Sequence, residues 1–216
     1  MKKQVIESIL ENKIVVIVRG LDKEPLLKAA DAMYEGGIRL LEITYDSTGA
    51  YPDEKTADNI MALNNRFNGK MTIGAGTVLK ESQVELTKAS GGRYIISPDT
   101  NEAIIKKSSE LDLVSMPGAM TPTEIQAAYS YGADFVKLFP INNLGIDYVR
   151  AVMAPLAHIP IIAVGGINED NMAEFLKAGV KGFGIGNNIV KKDLIKEGRY
   201  DEITKLAKRY TSIIRG

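Results

Sequence analysis

Cysteine and tryptophan are absent from this 216-residue chain, and histidine occurs once. Without thiols there is no disulfide framework, no thiol nucleophile and no thiolate metal site, and a single histidine cannot supply a His-rich zinc centre. Mechanisms built on zinc or on a Cys/His pair are therefore disfavoured. His158 lies in LAHIPII, just ahead of an apolar run, and reads as a surface or capping residue. Net charge is missing too: 27 basic side chains face 27 acidic ones. Such a balance leaves no electrostatic footprint for nucleic acid or an anionic membrane, so neither is an expected partner. No stretch approaches the roughly 20 apolar residues of a membrane span. The opening MKKQVIESILENK is amphipathic and interrupted by charge, unlike the apolar core of a secretory signal, so a cytoplasmic location is expected.

What is present is a chain 45% hydrophobic, with ample material for a core. Apolar, strand-like runs alternate with helical periodicity. The runs are 14–18, 39–45, 71–76, 93–97, 113–117, 134–139, 159–164 and 182–186. Amphipathic helices are predicted over 23–36, 53–67, 80–90, 100–110, 121–131, 145–157, 168–178 and 200–213, with Thr121 and Asn168 as caps. The spacing is regular and no linker interrupts it, so residues 1–216 read as one domain. Strict alternation implies parallel strands with right-handed crossovers, and eight units predict an α/β (β/α)₈ TIM barrel. A preceding helix at 3–12 is placed to cover the bottom of the barrel. An open doubly wound sheet is the alternative, weakened because VIVRGLDKE, not G-x-G-x-x-G, follows the first strand.

Active sites of such barrels form at the carboxyl ends of the strands, and this gives the charged residues their meaning. Arg39, Arg93 and Asp134 open their strands and read as rim charges at the opposite end. Arg19, Glu42, Thr77 and Lys137 should converge at the top. In FVKLF, period two puts Phe135, Lys137 and Phe139 on one face; in the second strand Leu40, Glu42 and Thr44 share the inner face. A buried lysine loses its charge more readily, and a free amine attacks carbonyls to give a Schiff base. Lys137 is accordingly the candidate nucleophile and Glu42 the candidate acid/base group, with a structural Glu–Lys ion pair as the alternative. Small residues in GAGT (74–77), MPGAMT (116–121), VGGIN (164–168) and GIGNN (184–188) sit where backbone must approach a ligand closely. The last two follow strands seven and eight, where barrels bind phosphate.

Taken in order, LEIT (41–44), GAGTVL (74–79), ISP (96–98), PGAMTPTE (117–124), FVKLFP (135–140), AVGGIN (163–168) and DEITKLA (201–207) resemble the 2-keto-3-deoxy-6-phosphogluconate / 4-hydroxy-2-oxoglutarate (KDPG/KHG) aldolase family. The resemblance covers nearly the whole chain. It implies a class I aldolase on a (β/α)₈ barrel, usually a homotrimer, that cleaves a 2-keto-3-deoxy sugar acid to pyruvate and an aldehyde with no metal or other cofactor. It makes Lys137 the Schiff-base lysine and Glu42 the general acid/base. Thr77 and Pro98 would hold the pyruvyl part, with Phe139 beside it, while Gly165 and Gly166 would lie at the phosphate end. Gly186 and Asn187 belong with the substrate-binding residues of the last loop. Three positions depart from the family pattern. Asp46 stands where members acting on the phosphogluconate-derived substrate resemble one another in having arginine, Val164 where many have threonine, and Asn187 where many have serine. Asp46 would repel a substrate anion, and Arg19 can clamp the substrate carboxylate bidentately in its place. Beside Ser47 and Thr48, Asp46 suits hydroxyl recognition; alternatively it is a helix-cap or turn residue. Two other activities fit the same residues: a sugar-phosphate isomerase or epimerase using Glu42 and Lys137 for proton transfer, and a non-catalytic sugar-acid-binding barrel.

Overall fold

The computed structural model describes residues 1–142 and 144–215, so Asn143 and Gly216 of the expected domain lie outside the described residues. The strands are β1 (Ile14–Val18), β2 (Leu40–Thr44), β3 (Thr72–Gly76), β4 (Tyr94–Ile96), β5 (Val114–Met116), β6 (Gly118–Ala119), β7 (Val136–Leu138), β8 (Ile161–Val164) and β9 (Gly182–Ile185). The helices are α1 (Lys2–Asn12), α2 (Lys23–Glu35), α3 (Asp53–Phe67), α4 (Glu81–Ala89), α5 (Glu102–Glu110), α6 (Pro122–Ser130), α7 (Gly145–Met153), α8 (Met172–Lys177), α9 (Lys192–Lys196) and α10 (Tyr200–Arg215).

All neighbours in the sheet are parallel, in the order β5-β4-β3-β2-β1-β9-β8-β7-β6. The two ends of that order are the halves of one stave. Pro117 carries no N–H to give to a ladder, so the fifth expected run, 113–117, ends as β5 ahead of that residue, and pairing resumes just beyond it as β6. Its carbonyl still accepts from Lys137 N at 2.8 Å, and Ser115 O accepts from Phe135 N at 3.2 Å. These bonds join the fifth stave to β7 and nearly close the eight-stave barrel.

Burial divides the strand residues into two shells, as the period-two pattern requires. Val16, Leu41, Ile43, Ile73 and Val136 face the helices in the larger core. Val15, Leu40, Tyr94, Ile96, Val114, Met116, Phe135, Ile162 and Val164 fill the lumen. Val5 and Ile9 of α1 join the lumen cluster from below, and Lys2 at the start of α1 pairs with Asp134 at 2.9 Å. The early helix thus plugs the barrel, and Asp134 also accepts from Ser115 N at 2.8 Å, as a bottom-rim charge should.

Helix starts follow their caps where a cap exists. Thr121 and Glu124 form a capping box on α6, with the Glu124 carboxylate accepting from Thr121 N at 2.8 Å. Asn168 does not open α8 directly: its side chain accepts from Asp170 N and Asn171 N in a local turn, and the helix begins only at Met172. The helix predicted over 145–157 stops at Met153: Ala154 is still helical in backbone and its N–H reaches Arg150 O, but Pro155 has no N–H with which to continue the ladder. The five residues of α9 are too few to show a helical period in sequence.

The lumen is tightly filled around one aromatic ring. A Cβ at Gly74 would stand 2.1 Å from Tyr94 Cδ2, and the Tyr94 hydroxyl donates to Leu41 O at 2.5 Å, so the ring cannot swing away freely. Gly74→Ala is expected to lower folding stability by about 1–3 kcal/mol through overpacking, read as a shift in the denaturant midpoint. An unchanged midpoint would mean that the lumen has slack at this layer.

Candidate functional site

β2 and β7 deliver the two ionisable side chains into the upper lumen. Glu42 is 2% exposed and Lys137 8%. Lys137 Nζ is 4.8 Å from the centroid of the Phe139 ring, and Phe135, buried, precedes it by two residues. Room for the carboxylate comes from the neighbouring strand: a Cβ on Gly76 would stand 1.6 Å from Glu42 Oε1, so only glycine fits beside it. Glu42 and Lys137 form no ion pair or hydrogen bond with each other among the described residues.

Burial pushes the Glu42 carboxyl up from its ordinary value of 4.5, with the positive charges of Lys137 and Arg19 opposing it. Burial also drives Lys137 down from its ordinary 10.5; Glu42 resists that fall and Arg19 adds to it. Both groups are displaced toward neutrality, and desolvation is the leading cause in each case. An amine that gives up its proton readily beside a carboxyl that keeps one readily is suited to covalent and proton-transfer chemistry on a carbonyl compound.

Above the pair, Arg19 Nη2 donates to Thr77 Oγ1 at 3.1 Å. Thr77 adopts φ of 56°, a left-handed conformation that costs a β-branched residue about 1–3 kcal/mol and collects at functional sites. The guanidinium and this hydroxyl sit together over the lumen, a fit for a carboxylate. Arg19, Glu42, Thr77 and Lys137 are thus brought together as expected. Phe139 stands at the rim, 36% exposed, and Pro98 is also exposed, its carbonyl so close to Gly118 that a Cβ there would approach to 2.3 Å.

The loop glycines serve the protein's own neighbours more than open space. Gly166, at φ of 74°, has its Cβ position 2.6 Å from Asn142 Cβ, and Gly165 packs on the same segment. At Gly186, by contrast, the nearest atoms to a Cβ are those of Ile17, at 3.8 and 3.9 Å. Asn187 is exposed beside it.

Asp46 is occupied within its own loop. Its carboxylate accepts from Thr48 N at 3.1 Å, Thr48 Oγ1 at 2.8 Å and Tyr51 N at 3.0 Å, and these bonds, those of Thr48 first, hold its pKa down. The turn alternative holds, and hydroxyl recognition by Asp46 is not supported. His158 is exposed with its ring edge-on to Tyr129, as a surface residue should be. One feature had no sequence signal beyond strand parity. Among the described residues Thr44 Oγ1 is the single buried side-chain polar atom without a partner, and it lies one inward position beyond Glu42. Among the described residues no group of three or more Asp, Glu or His side chains is placed to hold a metal ion.

The buried pair has a consequence for stability. With Glu42 raised, the native state gains relative to the unfolded chain below pH 4.5 and loses that gain as pH rises through the native value. With Lys137 lowered, the native state is favoured above pH 10.5 and penalised as pH falls through the native value. Both penalties overlap between those limits. The double variant Glu42→Gln/Lys137→Met removes both charges without orphaning either, so it is expected to melt higher than wild type at neutral pH, the advantage narrowing toward both extremes. A lower melting temperature at neutral pH would show that the pair stabilises the fold.

Comparison with known proteins converges on one family. A family model described as KDPG and KHG aldolase matches residues 5–206. The chain is 35% identical over 183 residues, 84% of each protein, to a probable 2-dehydro-3-deoxy-6-phosphogalactonate aldolase of Rhizobium meliloti. It is 33% identical over 216 residues, 99% of this chain and 98% of the relative, to a 2-dehydro-3-deoxy-phosphogluconate aldolase of Haemophilus influenzae. Among solved structures, a KDPG aldolase from Legionella pneumophila, with pyruvate captured as a covalent carbinolamine, superposes with a TM-score of 0.83 at 26% identity, over 94% of this chain and 96% of that one. With the barrel, the lumen pair and these likenesses in agreement, this chain belongs to the KDPG and KHG aldolase family.

Proposed function

We propose that this protein is a class I aldolase that reversibly cleaves a 2-keto-3-deoxy sugar acid to pyruvate and an aldehyde, with Lys137 as nucleophile and Glu42 as acid/base. The observation that carries the reading is the amine of Lys137, buried in the lumen, in no ion pair among the described residues, and driven toward its neutral form next to a carboxyl driven toward its own. The names of the relatives support the substrate class. The Arg19–Thr77 pair supports binding of the keto-acid carboxylate, with Pro98 and Phe139 flanking the pyruvyl part. Gly165, Gly166, Gly186 and Asn187 are assigned to the distal end of the substrate. Family resemblance supports a homotrimer. No helix among the described residues is long and apolar enough to cross a membrane, and together with the amphipathic N-terminus this supports a cytoplasmic enzyme acting on a small molecule.

In the cleavage direction, Lys137 Nζ adds to the C2 ketone, and proton transfers through Glu42 and a water release hydroxide as water to leave an iminium. Glu42 then takes the proton of the C4 hydroxyl. The C3–C4 electron pair moves into the iminium, giving an enamine and the free aldehyde. Glu42 returns the proton to C3, and water hydrolyses the resulting pyruvyl iminium to pyruvate and the free amine. The same carboxyl must hold and release a proton in one cycle, which suits a pKa lifted toward the working pH.

Lys137→Ala is expected to abolish both turnover and the mass increase left by borohydride after incubation with pyruvate; retained trapping would move the nucleophile elsewhere. Glu42→Gln is expected to cut turnover by about 10²–10⁴ while the pyruvate adduct still forms slowly. Full activity in that variant would remove its proton-transfer role.

A further inference from the structure

Resting on the aldolase reading above, we propose that Thr44 is a positioning residue for Glu42: its hydroxyl donates to the carboxylate when Glu42 is ionised and holds it where it takes a proton from the substrate. Thr44 is 6% exposed, and its Oγ1 is buried with no hydrogen-bond partner. A hydroxyl in such a place forfeits the bonds that water gives it in the unfolded chain, and folded proteins leave few of them. For packing alone, valine would serve this position better. Glu42 shows the complementary lack: burial and the charges of Lys137 and Arg19 set its state, and no hydrogen bond from a described residue contributes.

Sheet register puts the unpaired donor beside the unpaired acceptor. Glu42 and Thr44 occupy consecutive inward positions of β2, and Thr44 pairs in register with Gly76 of β3. The Glu42 side chain leans across β3, with Oε1 1.6 Å and Cδ 2.2 Å from where a Cβ on Gly76 would stand. That point and the Thr44 Cβ are one strand spacing apart, roughly 4.8 Å. The carboxyl group has therefore climbed to the layer of Thr44, near enough for one rotamer step of either side chain to join them. The same layer is closed from above, because Arg19 and Thr77 follow the strands on either side of β2 and their 3.1 Å hydrogen bond crosses its end. A neutral Glu42 carries its own donor and needs no other. An ionised one is acceptor only, and in a dry lumen an O–H···O⁻ bond is short and strong. A bond favoured by the charged form fixes the base before a proton arrives and loosens once it has.

Thr44→Val keeps the shape and removes the donor. It is expected to lower kcat about tenfold with KM unchanged, and Thr44→Ser to restore most of kcat. An unchanged kcat in the valine variant overturns the proposal, as does a serine variant no faster than valine. A loss carried by KM overturns it too, because the hydroxyl would then be touching substrate. The valine variant should also melt no lower than wild type; a lower melting temperature would show the hydroxyl already paired in the resting fold and overturns the proposal. One arm is independent of turnover: infrared titration of the protonated-carboxyl band that Glu42→Gln lacks. Lys137 from β7, Arg19 from β1 and Tyr94 from β4 are the ionisable groups around Glu42, and all three stay in place. Loss of a donor to the charged form should raise the Glu42 midpoint by about one pH unit, and equal midpoints overturn the proposal. Should wild type neither cleave a 2-keto-3-deoxy acid nor trap pyruvate, the aldolase reading fails, and the infrared midpoint still decides whether Thr44 serves Glu42.

Discussion

A lysine and a glutamate held out of water in one apolar lumen, without the ion pair that would settle their charges, set the requirements for everything around them. Each charge is expensive to bury, and each lowers the cost of the other only partly. The barrel must therefore fix both side chains by packing alone. Gly76 clears the space for the carboxylate, Phe139 stands beside the amine, and the parallel registers on either side of β2 and of β7 set the heights at which the groups stand. The helices outside the sheet supply the stability that this arrangement spends, through a core built on Leu41, Ile43, Ile73 and Val136.

Much of this was legible before any coordinates, because strand parity is a strong constraint. Once LLEIT and FVKLF are strands of a barrel, Glu42 and Lys137 must share the lumen, since a one-residue slip would bury a charge among the helices instead. Arg19 and Thr77 follow from their places at strand ends. The early helix was legible as a plug from its position and amphipathic pattern, and Val5 and Ile9 occupy that place.

What was not legible has specific physical reasons. Pro117 stood at the end of an expected strand, where nothing in the local pattern shows that the chain resumes pairing one residue later. Thr77 is a β-branched residue in a conformation its type disfavours, so propensity argues against the geometry found. Glycine signals small size without naming the neighbour that needs it: Gly76 yields to a carboxylate and Gly166 to Asn142, whereas both read as space for a ligand. Asp-Ser-Thr fits either a recognition loop or a self-closing turn, and only the hydrogen bonds to Thr48 and Tyr51 separate them.

The helix beneath the barrel also governs traffic. With α1 stoppering the tube from below, the chamber is a cul-de-sac whose doorway lies over Phe139 and the loops beyond the strands. In the proposed reaction the fragment bonded to Lys137 is held while the freed one, nearer the threshold, can depart, so covalent attachment and the single doorway together set the order in which two fragments leave.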